Sequence, residues 1–451
     1  MRSRFALALS LAVMTFACAP ALGDAGDPSS DFSGDATGGA GTQAPAALDS
    51  LLAAPALDLA LLERAVLERN PSLGAMRAAW EGAQASADQV GALEDPMVDF
   101  STAPRSWGSS AMGSAYMVEI AQRFPIFGQR GLRGRAARGD ARAIGEDYRG
   151  GRLNLVRETR RAYLDYYLVA RNQAVNVDLK DLLTQFRRTA LGKYSAGTVG
   201  LDDALQAEVE LAMLDHVEVA LVRERRVLAA QINALLRRAS TSPFPEPPAV
   251  LPIAPGPPEA DSVRSAAFAS RPELRGWDAK QDAREADLSL AQRSRLPEFT
   301  FTARYDRFMN ESDWRPQVGV GLNLPIFFGR LGAAEREARA GLEEANYRRQ
   351  AAHNQVAYEV ESALSQVQET HHEVEVVEER VVPSTERALT AIRASYENNR
   401  ADFLTLLNAE RDLARARLDV YEAKVRYLQA LADLDRAVGV APTESSTEVK
   451  R

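Results

Sequence analysis

One cysteine, Cys18, and four histidines in 451 residues exclude an intrachain disulfide and leave no material for most zinc sites. The histidines make no chelating set. His371 and His372 are adjacent and point about 100° apart on a helix, so they cannot hold one ion together and are expected to be solvated. His216 and His353 stand alone, with no nucleophile pattern such as G-x-S-x-G beside them. Eight methionines, two of them Met1 and Met14, are too few for a copper path. The net charge of −8 argues against nucleic acid as a partner. No enzyme, cofactor or resident metal is therefore expected.

Long apolar runs are as scarce. Phe5–Ala17 follows Arg2 and Arg4 and is too short to cross a bilayer as a mature helix, which is the layout of a secretory signal peptide over residues 1–23. Cys18 stands directly after that run. Either it is the acylated first residue of a lipoprotein, or it is discarded by cleavage near Ala21–Gly23. Residues 24–47 are Gly, Asp, Ser, Ala and Pro and read as a disordered tether, and 441–451 as a disordered tail. Ser242–Pro258 holds eight prolines and divides the ordered chain into 48–241 and 259–440.

What the chain does have is length of helix, and the same message twice. Arg123-Phe-Pro-Ile-Phe-Gly128 and Asn323-Leu-Pro-Ile-Phe-Phe-Gly329 each close an alternating stretch and open an Ala, Arg and Glu-rich one. Pro125 and Pro325 have no N–H for a ladder, and Gly128 and Gly329 let the chain turn, so both read as strand-to-helix swivels. Asn70-Pro71 meets Arg271-Pro272 at an offset of 201. Tyr194, Gly197, Ala207 and Glu208 meet Tyr396, Asn399, Ala409 and Glu410 at 202. Ordered matches at nearly one offset read as a duplicated helix, strand, strand, long helix, turn, helix unit.

Strands are expected over 97–103, 116–124, 298–306 and 317–324, each apolar on one face and polar on the other. That suits a membrane barrel wall or a half-buried soluble sheet, and the rest of the chain offers those strands nothing globular to pack on. Val356, Val360, Ala363, Val367, Thr370, Val374, Val377 and Val381 step by four and three like a coiled-coil seam. Leu153, Val156, Tyr163, Tyr167, Ala170, Ala174 and Val177 do the same with Arg160 as the exception. Gln129–Tyr194 as one helix spans about 100 Å. Pro383 is expected to bend the second long helix. Four strands cannot close in lipid, so copies must pool them.

In these features the chain resembles the TolC family of outer-membrane efflux proteins, from about Leu57 to Val440. The tip turns Tyr194–Leu205 and Tyr396–Leu404 add to the likeness, with Asn399 standing where a glycine is usual. The resemblance implies a mainly α fold with a small β part: a homotrimer with a 12-stranded barrel in outer-membrane lipid and a helical tunnel through the periplasm. It implies a passive exit duct, docked to a periplasmic membrane-fusion adaptor and an inner-membrane transporter of the resistance-nodulation-division or ABC type. Leu93-Glu-Asp-Pro96 and the swivel that follows look closer to the cobalt-zinc-cadmium and copper-silver ducts than to the drug branch. By the same resemblance Gly197, Val199, Gly200, Leu201, Asn399 and Phe403 form the docking tip. Asp202, Asp203 and Asp402 are either helix N-caps or a gate of carboxylates. The other readings are an outer-membrane component of type I protein secretion and a secreted structural coiled coil; the latter explains the heptads but neither strands nor swivels.

Overall fold

The computed structural model describes residues 47–104, 115–125, 127–197, 200–253, 256–309, 312–398 and 400–440. Cys18, Ile126, Val199 and Asn399, with the segments before Ala47 and after Val440, lie outside them.

Both halves of the chain run through helix, helix, strand, strand, long helix and helix, with a short α1 added before the first and the long helix of the second broken into α8 and α9. The first has α1 (Ala47–Ala53), α2 (Leu59–Arg69), α3 (Pro71–Gly91), β1 (Met97–Thr102), β2 (Tyr116–Phe124), α4 (Gln129–Ser195) and α5 (Asp202–Leu235). The second has α6 (Ala260–Ser270), α7 (Pro272–Arg293), β3 (Glu298–Asp306), β4 (Pro316–Asn323), α8 (Phe328–Val376), α9 (Val382–Glu397) and α10 (Phe403–Val438). Local chemistry sets the boundaries. Asn70 ends α2 and caps α3, its side chain accepting from Ser72 N–H at 3.0 Å, and Pro71 opens α3 where no N–H is needed. Arg271-Pro272 opens α7 in the same way but without a side-chain cap.

At every level along α4 the described chain is four elements wide. The sheet is antiparallel in the order β1-β2-β3-β4. Below it α3, α4, α7 and α8 pack side by side, and farther down α5, α4, α10 and then α9 do so. α4 serves both helical levels because its 67 residues run about 100 Å. One edge of this layer is β1, α3 and α5, all from the first half. The other is β4, α8 and α9, all from the second.

Between the two helical levels lie the largest cores. One gathers Leu51, Leu57, Leu62 and Val66 against Tyr163, Tyr166 and Tyr167 of α4 and Ile232 and Leu236. The other gathers Val356, Val360, Leu364 and Val367 of α8 against Tyr427 and Leu434 of α10. Neighbouring residues of α10 bind the two together. Asp435 accepts from Arg160 at 2.6 Å, and Arg160 also donates to Glu63 of α2 at 2.6 Å. Arg436 reaches Glu359 and Glu273, both at 2.9 Å. Arg271, 2% exposed, joins that second group and donates to the Ala437 carbonyl at 2.9 Å.

Several details depart from the sequence expectation. The α8 seam is buried at Val356, Val360, Val367 and Thr370 and half-buried at Ala363, but Val381 is exposed. Val377–Val381 forms a π turn that absorbs one extra residue, so the inward positions resume one residue late, at Val382, Thr385, Leu389, Ile392 and Tyr396. Pro383 thus sits just after a π turn, at the start of α9. The expected α4 seam is corrected more widely, because Ala174 and Val177 are exposed. A helix packed on both flanks buries a broader stripe, here including Leu155, Thr159, Ala162, Tyr166 and Val169, and Arg160 breaks the pattern because it is an ion-pair centre. The fourth strand is shifted to Pro316–Asn323, leaving Leu324 outside, with Pro316 tolerated at the start of an edge strand.

Removing the Arg271 guanidinium leaves buried carbonyls and the half-buried Glu359 short of a partner. Arg271→Ala is expected to cost about 3–5 kcal/mol, read as a shift in the denaturant midpoint. Arg264→Ala, which deletes a surface pair with Glu361, should leave the midpoint nearly unchanged.

Candidate functional site: the open sheet, its swivels and the helix tips

The strand register sorts the sheet into two faces. Val98 pairs with Ile120 and Phe100 with Val118. Val118 in turn faces Tyr305 and Ile120 faces Ala303, while Phe299, Phe301 and Ala303 pair with Leu322, Val320 and Val318. These side chains share one face, broken only by Thr102 and Gln122 among the paired positions. On the other face lie Asp99, Glu119, Arg123, Thr300, Thr302, Arg304, Gln317, Gly319 and Gly321, with Met97, Met117 and Ala121 as its apolar exceptions. The apolar face has no cover among the described residues: Val318 is 90% exposed, and Val98, Phe100 and Val320 more than 60%. β1 and β4 each leave one row of backbone N–H and C=O without a strand partner.

The swivels carry the chain from this sheet into the helices. β2 ends at Phe124, Pro125 follows, and Gly128 takes φ +73° as the N-cap of α4, a left-handed conformation that glycine adopts freely. The Arg293 guanidinium closes over it, donating to the Phe127 carbonyl at 3.0 Å. The second swivel works differently. Pro325 sits in a tight turn in which Ile326 N–H donates to the Leu324 carbonyl at 3.0 Å, and Phe327, not glycine, precedes the helix. Gly329 is already inside α8 without positive φ, so its expected role as the turning residue is corrected. Ile326, Phe327 and Phe328 stand exposed around it.

At the far end the two turns meet as one bundle. α4 closes on Gly197 at φ +71°, whose N–H donates to the Tyr194 carbonyl. Gly200 and Leu201 are exposed. A Cβ on Gly200 would run into the Asp202 carboxylate, which folds back over it. Phe403 is 2% exposed, packed with Leu183, Ala207 and Leu407 and edge-on to Phe186. It joins the two turns and offers no surface, so its place in a docking tip is corrected to an internal one.

The three aspartates have separate environments. Asp402 is the N-cap of α10, accepting from Thr405 N–H at 2.8 Å, and hydrogen bonds with Thr405 hold its carboxyl below the usual range. Asp202 and Asp203 are not caps: the N-cap of α5 is Leu201, and both sit in its first turn, where the helix dipole favours them. Partial burial raises the Asp203 pKa, and the Asp202 charge adds to the rise. Lys193 opposes it, and Asp402 from the other turn adds again. The sequence placed these carboxylates at the turns. It offered the cap for all three, of which only Asp402 takes it, and did not disclose that Asp203 feels both of the others.

Among the described residues no group of three or more His, Cys, Asp or Glu is arranged to hold a metal ion. His371 is corrected from solvated to half-buried, edge-on to Tyr427 at 5.3 Å, whereas His372 is exposed. His353 stacks on Phe268. An apolar groove of about 990 Å³ beside α2, α4 and α10 has Arg160 and Asp435 at its margin, and these already pair with each other. No helix among the described residues is long and apolar enough to cross a membrane.

The comparisons with known proteins agree with this architecture. The chain is 26% identical over 359 residues to outer membrane protein OprJ of Pseudomonas aeruginosa, covering 73% of this chain and 71% of OprJ. It is 23% identical over 262 residues to the cobalt-zinc-cadmium resistance protein CzcC of Cupriavidus metallidurans, covering 57% of this chain and 61% of CzcC. The solved structure of CusC superposes with a TM-score of 0.73 at 16% identity, covering 85% of this chain and 92% of CusC, and so shares its fold. The family model for outer membrane efflux proteins matches residues 62–240 and 263–440, well over half of the sequence. The chain belongs to the outer membrane efflux protein family.

Proposed function

We propose that three copies of this chain form a passive exit duct in the outer membrane: a 12-stranded barrel continuous with a helical tunnel through the periplasm. The observation that carries this reading is the open four-stranded sheet. It has one apolar face, one polar face and two unpaired edges. In lipid each unpaired N–H or C=O costs several kcal/mol, so the edges must be joined to other copies. Placing the apolar face against lipid and the polar face toward water satisfies both surfaces at once. The repeated order of elements is then a duplication, with 48–241 and 259–440 as its two units and Ser242–Pro258 as their connection. Cys18, if acylated, adds a lipid anchor at the N-terminus.

The duct needs no catalytic group. Energy comes from an inner-membrane transporter of the resistance-nodulation-division or ABC type, linked through a periplasmic membrane-fusion adaptor. We place that docking at the tip around Gly197, Val199, Gly200, Leu201 and Asn399. The likeness to the cobalt-zinc-cadmium resistance protein CzcC makes cobalt, zinc and cadmium ions the first cargo to test, by comparing export in cells with and without the gene.

Detergent-extracted protein should run as a trimer of mature chains, and a monodisperse water-soluble monomer would sink the reading. Val320→Lys, on the apolar face, should lower barrel stability by about 2–4 kcal/mol near the midplane. Gly321→Lys, next to it on the polar face, should cost much less.

The tip yields two further tests. Three copies of Asp402, with Asp203 behind them, would place a ring of carboxylates at the periplasmic mouth, which favours cations and narrows the pore electrostatically. Asp402→Asn keeps an N-cap of similar strength but removes the charge, so it should raise single-channel conductance and weaken block by multivalent cations without loss of stability. Unchanged conductance would reduce Asp402 to a cap. Gly200→Arg displaces Asp202 and covers the exposed turn. It should abolish export while trimer and conductance persist.

A further inference from the structure

The two free edges of the helical layers are unlike each other, and each bears on one flank what the other lacks. On α5 the side toward α4 carries Ala207, Leu211 and Leu214. The opposite side carries Leu205, Val209, Met213 and Val217, between 41% and 60% exposed, with nothing covering them among the described residues. A run of four large apolar side chains over about 18 Å of helix is a surface that a soluble face would not keep. At the other edge α9 turns Leu389 and Ile392 toward α10. Its outer side presents Pro383, Glu386, Arg387, Thr390, Ala391 and Ala394, a shallow face of small side chains interrupted by Glu386 and Arg387. Counted from Asp202 and Glu397 at the tip, Leu205 stands level with Ala394, Val209 with Thr390 beside Ala391, and Met213 with Glu386 beside Arg387.

One level up the pattern is reversed. On α3 the side toward α4 carries Met76 and Trp80, which press on Gly151 and Gly145. The outer side carries Ala75, Ala78, Gly82 and Ala85, stepping by three and four residues. At the opposite edge α8 buries Leu331 and Ala345, and turns out Tyr347 at 70% and Tyr358 at 67% exposure. Since Trp80 meets Gly145 and Met76 meets Gly151, Ala78 lies about 19 residues of helix below the first swivel, the same depth as Tyr347 below the second.

We infer that these edges are one head-to-tail seam between copies of the chain, in which the α5 ridge of one copy packs on the small-residue face of α9 of its neighbour, while Tyr347 of that neighbour's α8 packs on the small-residue face of α3. This rests on the ring proposed above and specifies its contacts. A seam joining unlike edges generates a closed ring when its rotation closes. Large side chains entering a face of small ones is knobs-into-holes packing. Because the large partner changes sides between the two levels, a copy slipped along the tunnel axis would set ridge against ridge at one level or gap against gap at the other. The reversal therefore fixes axial register as well as partner.

Paired cysteines read the seam directly. In a Cys18→Ser chain, Val209→Cys with Ala391→Cys, and separately Tyr347→Cys with Ala78→Cys, should form covalent trimers in isolated membranes under mild oxidation. Across the seam the Cα atoms are expected within the disulfide range of about 4.4–6.8 Å. Val209→Cys with Ala78→Cys, which lie on the same edge at different depths, should not cross-link. The same samples are sized without oxidation. A trimer that cross-links at neither seam pair, or that links only the control pair, overturns the seam and leaves the ring standing. A chain that stays monomeric overturns both.

Discussion

The constraint on which the structure depends is the unfinished sheet. Two rows of backbone donors and acceptors end at β1 and β4, and one face of apolar side chains is bare. Among the described residues nothing pairs those edges or covers that face, and the long helices run away from the sheet. The helical levels inherit the same condition. α3 and α5 continue the edge begun by β1, and α8 and α9 that begun by β4, so incompleteness runs the whole depth of the layer.

Holding a layer four elements wide in one piece needs links between the halves; these run along α4, as from Arg142 to Asp282 and Arg284 to Asp140, and one buried group lies where the helical levels meet. α10, itself in the second half, contributes Asp435 to Arg160 of the first, which also holds Glu63, and Arg436 to Asn154 of the first and to Glu359 and Glu273 of its own half. Arg271 is buried in the second group and donates to backbone carbonyls near the end of α10. Gly439, at φ +85°, brings the chain within close contact of the Arg271 backbone, where a Cβ would stand only 3.1 Å from its Cα. Burial raises the Glu63 carboxyl against the pull of Arg160. This group is therefore held by geometry and multiple hydrogen bonds more than by charge alone, as buried ion pairs generally are.

Much of this was legible in the sequence. β2 and β3 have the bounds that alternation assigns, because an apolar-polar period of two has no helical reading over nine residues. Pro125 and Gly128 mark a swivel by backbone chemistry alone. What escaped the sequence is what depends on neighbours. Val177 looked like a seam residue because a heptad names one stripe, yet α4 packs on both flanks and its buried stripe drifts around the helix. Phe403 looked like surface at a turn, and its burial follows from Phe186 and Leu183 arriving from the other half. Gly329 looked equivalent to Gly128, but the second swivel is closed by a tight turn around Pro325, so its glycine is left with nothing to do.

The π turn at Val377–Val381 has a bearing on how the chain tolerates change in length. On either side of it the inward residues keep the same three-and-four step, offset by a single position. An α-helix given one extra residue rotates everything beyond it by about 100°; here the wider turn takes up that rotation, so α9 still presents Leu389 and Tyr396 inward and Ala391 and Ala394 to the edge. Deleting one residue within 377–381 would convert the segment to ordinary α-helix and leave both stretches in phase, whereas the same deletion anywhere in α4, which has no such turn, would put one end of that helix out of step with every neighbour it touches.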